Sequence, residues 1–156
     1  SGTGISAELF LKNDYKVFGV EPNEPMREAA ERILQNYSDK NLFVSVNGKA
    51  ESTTLENNSV DVIVCNSMSH HITEAILENL LSESSRVFKT TGKFLFLDAV
   101  CRSESFLNRL LWKLDRGEHP HTKAKLMSMI NNYFTVVSFK EFYHFYDYVF
   151  FAGRVK

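Results

Sequence analysis

The residues with the clearest capacity for chemistry stand at the start of the chain. Ser1-Gly2-Thr3-Gly4-Ile5-Ser6-Ala7 places two glycines, Gly2 and Gly4, at the opening of an apolar-periodic stretch. Glycines let backbone pass close to a ligand, and a helix start behind them offers N–H groups that lack an intrahelical partner. The apolar run Lys16-Val17-Phe18-Gly19-Val20 then ends in Glu21 and Pro22. An acid at the end of such a strand can accept hydrogen bonds from both ribose hydroxyls of a nucleoside. These pieces amount to half of a nucleoside-binding site. Further on, Ala50-Glu51 and Asn66-Ser67-Met68-Ser69-His70-His71 each follow an apolar run. His70 and His71 are the side chains best suited to take a proton near neutral pH.

The elements that must position these residues can be read from periodicity and punctuation. Ile5 to Lys12 predicts a helix with Ile5, Leu9 and Leu11 as its apolar face, ended by Asn13-Asp14. Lys16 to Glu21 is a nearly continuous apolar strand, the pattern of a parallel strand covered on both faces. Pro25 suits a first helical turn, and Met26, Ala29, Ala30, Ile33 and Leu34 recur at helical spacing towards Tyr37. Leu42 to Val46 and Val60 to Cys65 predict strands, the second being the clearest in the chain. A helix carrying Ile76, Leu77, Leu80 and Leu81 follows, then a turn at Thr90-Thr91-Gly92 and a buried strand from Lys93 to Val100. This alternation predicts an open, mostly parallel α/β sheet with helices on both faces.

The last third changes character. Phe106, Leu107, Leu110, Leu111, Trp112 and Leu114 form an amphipathic helical pattern that suits core or a lid. Thr122 can cap a second helix holding Leu126, Met127, Met129 and Ile130. Two aromatic strands, near Thr135 to Phe142 and Tyr146 to Val155, are joined closely enough for an antiparallel hairpin.

Bulk properties narrow the function classes. The chain has 156 residues, 44% of them hydrophobic, and a net charge of −1, which argues against nucleic-acid binding by bulk electrostatics. Cys65 and Cys101 are the only cysteines, too few for a disulfide framework or a zinc site, and both read as reduced, half-buried thiols. His119-Pro120-His121 reads as a loop rather than a metal site, because no acid–histidine pattern accompanies it. No apolar run approaches a membrane span and no signal peptide is seen, so a cytoplasmic location is expected.

A parallel alternating sheet finished by an antiparallel hairpin resembles the class I S-adenosylmethionine-dependent methyltransferases, with Rossmann-like architecture. On that resemblance Gly2 and Gly4 stand at the end of the family's first motif. Glu21, followed by Pro22, is the ribose-binding acid, and Ala50 and Glu51 bracket the adenine. Asn66 and Ser67 open the loop that runs under the methionine part towards the acceptor, and Asp98 to Val100 end the fifth strand. The resemblance implies S-adenosylmethionine as cofactor, a small-molecule or lipid-like methyl acceptor, and no metal. His71, and after it His70, is then the candidate base. The family also has a central first strand and an acid before the glycines, and neither stands in this sequence. A single domain over residues 1–156, N-terminally incomplete and with a gap in its sheet, is therefore expected.

Each residue has a plainer alternative. Glu21 could be an ordinary solvated strand end and Glu51 an exposed loop acid, and either histidine could simply cap or pack at a helix start. Gly2-Thr3-Gly4-Ile5-Ser6-Ala7 also satisfies the dinucleotide fingerprint, so an NAD-dependent oxidoreductase is a rival. The terminal hairpin and the absence of a second nucleotide-binding half count against it. A non-catalytic binding subunit with the same fold is a second rival.

Overall fold

The computed structural model describes residues 1–101, 119–144 and 146–156. The helical pattern read between Phe106 and Leu114, with Trp112, lies outside the described residues, as does Phe145. The chain falls into two compact units, Ser1–Thr54 and Leu55–Lys156.

The first unit runs α1 (Ile5–Leu11), β1 (Val17–Val20), α2 (Glu24–Ile33), α3 (Gln35–Ser38) and β2 (Phe43–Val46). β1 and β2 pair in parallel, Val17 opposite Phe43 and Val20 opposite Val46. Asn23 caps α2 by accepting the Met26 N–H at 3.0 Å, and Pro25 lies in the first turn, where its missing N–H costs nothing. The helix breaks at Leu34 before α3 instead of running on to Tyr37.

The apolar face expected for α1 is corrected. Ala7 and Leu11 are buried, with Ala30, Leu34 and Phe43 as core partners, while Ile5 and Leu9 are 77% and 65% exposed. The rotation is fixed by Gly4, which precedes α1 at φ +83°. A Cβ there would lie 2.7 Å from Leu34 Cδ1 and 3.3 Å from Ala30 Cβ. Gly4, Ala7 and Leu11 are spaced three and four apart, so pressing Gly4 onto α2 turns Ala7 and Leu11 inward. In α2, Ala30 and the adjoining Leu34 are buried by the same packing, and Ile33 is exposed.

The second unit runs β3 (Val60–Asn66), a 3₁₀ turn (Ser69–His71), α4 (Glu74–Val87), β4 (Phe88–Val100), α5 (Lys123–Tyr133), β5 (Phe134–His144) and β6 (Tyr146–Val155). Its sheet order is β3-β4-β6-β5. β3 is parallel to β4, and β6 is antiparallel to both β4 and β5. The closing hairpin is thus present and tight, with His144 opposite Tyr146. Thr73 and Thr122 cap α4 and α5 by accepting the N–H groups of Ile76 and Lys125, each at 3.3 Å.

Thirteen of the 156 residues are phenylalanine, and part of that abundance is explained here. Phe88, Phe94, Phe96, Phe134 and Phe151 are all fully buried. Phe94 stacks on Phe134 with centroids 4.2 Å apart, and Phe96 stacks on Phe151 at 4.8 Å. Rings with large buried areas on β4, β5 and β6 supply much of this core.

The turn expected at Thr90-Thr91-Gly92 is instead an irregular part of β4. The register against β3 shifts between Val60, opposite Phe88, and Val62, opposite Lys93. Gly92 is required there because a Cβ would sit 2.8 Å from the Asp61 carbonyl oxygen.

The continuous apolar run of β1 predicts cover on both faces, and this too is corrected, with β3 exposed in the same way. Phe18 and Val64 are 38% and 40% exposed. Each strand has one hydrogen-bonded neighbour among the described residues, β2 for β1 and β4 for β3. Taken together, the arrangement is a mixed α/β fold with parallel strand pairs and a terminal antiparallel hairpin.

Candidate functional site

In the first unit the glycine loop, Glu21 and the Ala50-Glu51 turn gather at the C-terminal ends of β1 and β2. Glu21 is the fastener. Its Oε2 accepts the Gly2 N–H at 2.8 Å and a hydrogen bond from the Ser1 amino group at 3.0 Å. Its Oε1 accepts the Asn23 N–H at 3.1 Å. Burial pushes the Glu21 carboxyl up, but these hydrogen bonds outweigh it and hold the group below the usual carboxylate range. Arg27 Nη1 donates to the carbonyls of Glu21 and Pro22 at 3.0 and 2.8 Å, which fixes the bend after β1. The sequence signal for Arg27 was only an arginine one turn into α2.

The two loop glycines do different work. Gly2 has φ +58° and open space where a Cβ would stand, so it leaves room beside the loop for another molecule. Gly4 is needed for the packing of α1 on α2. Ala50 and Glu51, both half-buried, form the middle of a turn closed by the Ser52 N–H donating to the Lys49 carbonyl at 3.0 Å. A Cβ at neighbouring Gly48 would lie 3.5 Å from Val20 Cγ1, so this turn sits beside the end of β1.

In the second unit, parallel pairing of β3 with β4 puts Asn66 opposite Leu97. The loop after β3 therefore meets Asp98. Ser67 turns the chain at φ +50°, a left-handed conformation uncommon for serine. The loop then closes on Asp98, which is fully buried. Asp98 Oδ2 accepts the N–H groups of Met68 and Ser69 at 3.0 and 2.6 Å. Asp98 Oδ1 accepts the Ala99 N–H at 2.8 Å and lies 2.5 Å from His70 Nδ1. Burial alone would raise the Asp98 carboxyl; the hydrogen bonds from His70 and Ser69 and the attraction of the His70 ring hold it below its ordinary range. An ionised carboxylate only accepts, so His70 Nδ1 carries the proton that faces Asp98.

His71 is exposed, with its ring centroid 4.1 Å from that of His70. Asn66 and Ser67 are exposed too, and Ser67 Oγ donates to Asn66 Oδ1 at 3.1 Å. Cys65 is buried, and its surroundings, with Asp98 adding to the effect, push the thiol up to about 12, an inert group at neutral pH. Among the described residues no cluster of His, Cys, Asp and Glu could hold a metal ion.

In the sequence Asp98 stands out only as one of the residues that end a strand. The available signal was register. Asp98 shares the alternation of Phe94 and Phe96 on β4, so it points into the core. A carboxylate there requires several donors, and the loop after the adjacent parallel strand supplies them.

The first unit thus has an acid-anchored glycine loop at the ends of parallel strands, and the second an α/β sheet finished by an antiparallel hairpin. The methyltransferase domain family matches residues 1–96, and the chain belongs to that family. An uncharacterised methyltransferase of a Geobacillus strain is 30% identical over 119 residues, 76% of this chain and 54% of that protein. The uncharacterised methyltransferase YcgJ of Bacillus subtilis is 27% identical over 129 residues, 82% of this chain and 50% of that protein. The chain thus spans about half the length of these relatives. A geranyl diphosphate C-methyltransferase from Streptomyces coelicolor, crystallised with S-adenosyl-L-homocysteine, superposes with a TM-score of 0.85 at 13% identity. That superposition covers 99% of this chain and 67% of the other.

Proposed function

We propose that the chain binds S-adenosylmethionine and belongs to an enzyme that transfers its methyl group to a small-molecule or lipid-like acceptor. The observation that carries this is Glu21, ionised and hydrogen-bonded to the glycine loop beside the open space at Gly2. A carboxylate has about four acceptor positions. Two on Oε2 and one on Oε1 are used by the described residues, and the fourth, on Oε1, is assigned to a ribose hydroxyl. Ala50 and Glu51 are suited to flank the adenine, and Gly2 lets the loop approach the cofactor. The family match runs through both compact units, which supports treating them as parts of one methyltransferase-fold domain.

When bound, S-adenosylmethionine supplies a methyl group on a positively charged sulfur, a good leaving group for in-line displacement. The chain then needs mainly to position the acceptor and, where the acceptor must lose a proton, to take it. Of the two histidines, His70 has its tautomer fixed by Asp98 and is assigned that task through Nε2; His71 packs on its ring. A lipid-like acceptor is supported by the apolar helical pattern from Phe106 to Leu114 in the sequence. It is also in keeping with the geranyl diphosphate substrate of the structurally similar Streptomyces enzyme. No described helix is long and apolar enough to cross a membrane.

The discriminating experiment is a thermal-shift comparison of cofactors. S-adenosylhomocysteine at about a hundred times its Kd should raise Tm by about 5–10 °C, and NAD⁺ should leave it unchanged. Stabilisation by NAD⁺ alone would overturn the proposal in favour of the oxidoreductase reading.

A further inference from the structure

The turn that carries His70 is held from two sides. Asp98 takes its N–H groups, at Met68 and Ser69. Its carbonyls are taken by a stretch about fifty residues away in sequence, one that the sequence alone presents as a loop. His121 Nε2 lies 3.0 Å from the Ser69 carbonyl oxygen and 3.2 Å from that of Ile72. The His119 N–H donates to the His70 carbonyl at 3.0 Å. His121 is itself buried, and its own carbonyl accepts the Cys101 N–H at 2.9 Å, just beyond the end of β4. Both neighbours of His121 Nε2 are carbonyl oxygens, which only accept, so that nitrogen carries a proton.

We propose that His121 is a positioning residue for His70: its shared N–H holds the carbonyls on either side of the turn, keeping the His70 ring in line with Asp98. The proposal rests on the reading of His70 as the proton acceptor. A buried histidine that merely filled space would contact the turn through its ring carbons. His121 instead directs its donor at Ser69 and Ile72, the residues that bracket the His70-His71 pair. Removing that donor leaves two carbonyls without it in a largely buried place, and the turn must move to find other donors. The contact most exposed to such a movement is the 2.5 Å approach of His70 Nδ1 to Asp98.

The test is long-range ¹H–¹⁵N correlation spectroscopy of the full chain labelled at histidine, with His70 assigned by its loss in His70→Gln. At a pH high enough that the rings are neutral, His70 in the wild type is expected wholly as the Nδ1–H tautomer and His121 as Nε2–H. His121→Phe keeps the bulk and removes the donor. It should bring in a share of about one tenth or more of the other His70 tautomer. His121→Gln, with an N–H at similar reach, should restore the wild-type pattern. A His70 that stays wholly Nδ1–H in a folded His121→Phe overturns the proposal. Should that variant fail to fold, a wild-type His121 found as Nδ1–H overturns it equally. Calorimetry with S-adenosylhomocysteine on the same wild-type sample separates the two levels. Absence of binding removes the methyltransferase reading, whereas binding together with an indifferent His70 removes only the role of His121.

Discussion

Two carboxylates, Glu21 in the first unit and Asp98 in the second, perform the same structural act with different remainders. Each lies at or near the C-terminal end of a parallel strand and gathers the N–H groups of a loop. Each is held below its usual titration range although burial pushes the other way. Asp98 is fully buried and uses all four acceptor positions, on Met68, Ser69, Ala99 and His70. Glu21 remains partly exposed and, among the described residues, has one position left. A saturated, buried carboxylate organises the protein around it, whereas an unsaturated one at the surface can also meet a ligand. Two acids at similar points of the topology are thus separated into a positioning role and a binding role by how many donors the chain itself provides.

The largest effect that would break this comparison is on stability. Asp98→Ala strands three backbone N–H groups and the His70 ring, and should cost about 3–5 kcal/mol in urea unfolding. Glu21→Ala should cost about 1 kcal/mol or less, since water can reach the groups it releases. Equal losses would mean that the two acids are not different in kind.

The glycines give a second, smaller contrast. Gly4→Ala places a side chain at φ +83° against Leu34 and Ala30 and should cost about 1–3 kcal/mol of stability. Gly2→Ala meets open space and should cost about 1 kcal/mol from backbone strain, while weakening S-adenosylhomocysteine binding by about tenfold or more. Calorimetry and thermal unfolding on both variants check the pair.

The smallest effect is the slope of stability in acid. Ordinary unfolded carboxyls titrate near pH ~4, and Glu21 and Asp98 titrate lower when folded. Between those values the unfolded chain binds more protons, so stability is lost as pH falls from about 4 through the folded pKa and is fully present above about pH 5. Asp98→Asn should flatten that loss in urea titrations between about pH 2 and 5. An unaltered slope would show that Asp98 is not ionised in the folded protein.

How much of this was legible in the sequence follows from what each signal encodes. The strands, the terminal hairpin and the Thr122 cap could be read because alternation, turn spacing and capping chemistry are local. The buried face of α1 could not. Ile5 and Leu9 have the same four-residue spacing as Ala7 and Leu11, and only the approach of Gly4 to Ala30 and Leu34 chooses between the pairs. Glu21 was visible because a lone acid ends an apolar run. The pairing of His70 with Asp98 was hidden by a separation of 28 residues and became accessible only through the register of β3 on β4. His121 was hidden more deeply, since a histidine beside a proline looks like loop until the carbonyls it holds are known.

The central claim is that Glu21 contributes to a nucleoside-cofactor site, and calorimetric titration of S-adenosylhomocysteine into the wild type and Glu21→Ala tests it most directly. The predicted result is measurable binding to the wild type and a loss of about 1–3 kcal/mol in the variant, about 5- to 150-fold in Kd. Equal affinity in the two proteins, with both folded, would contradict it.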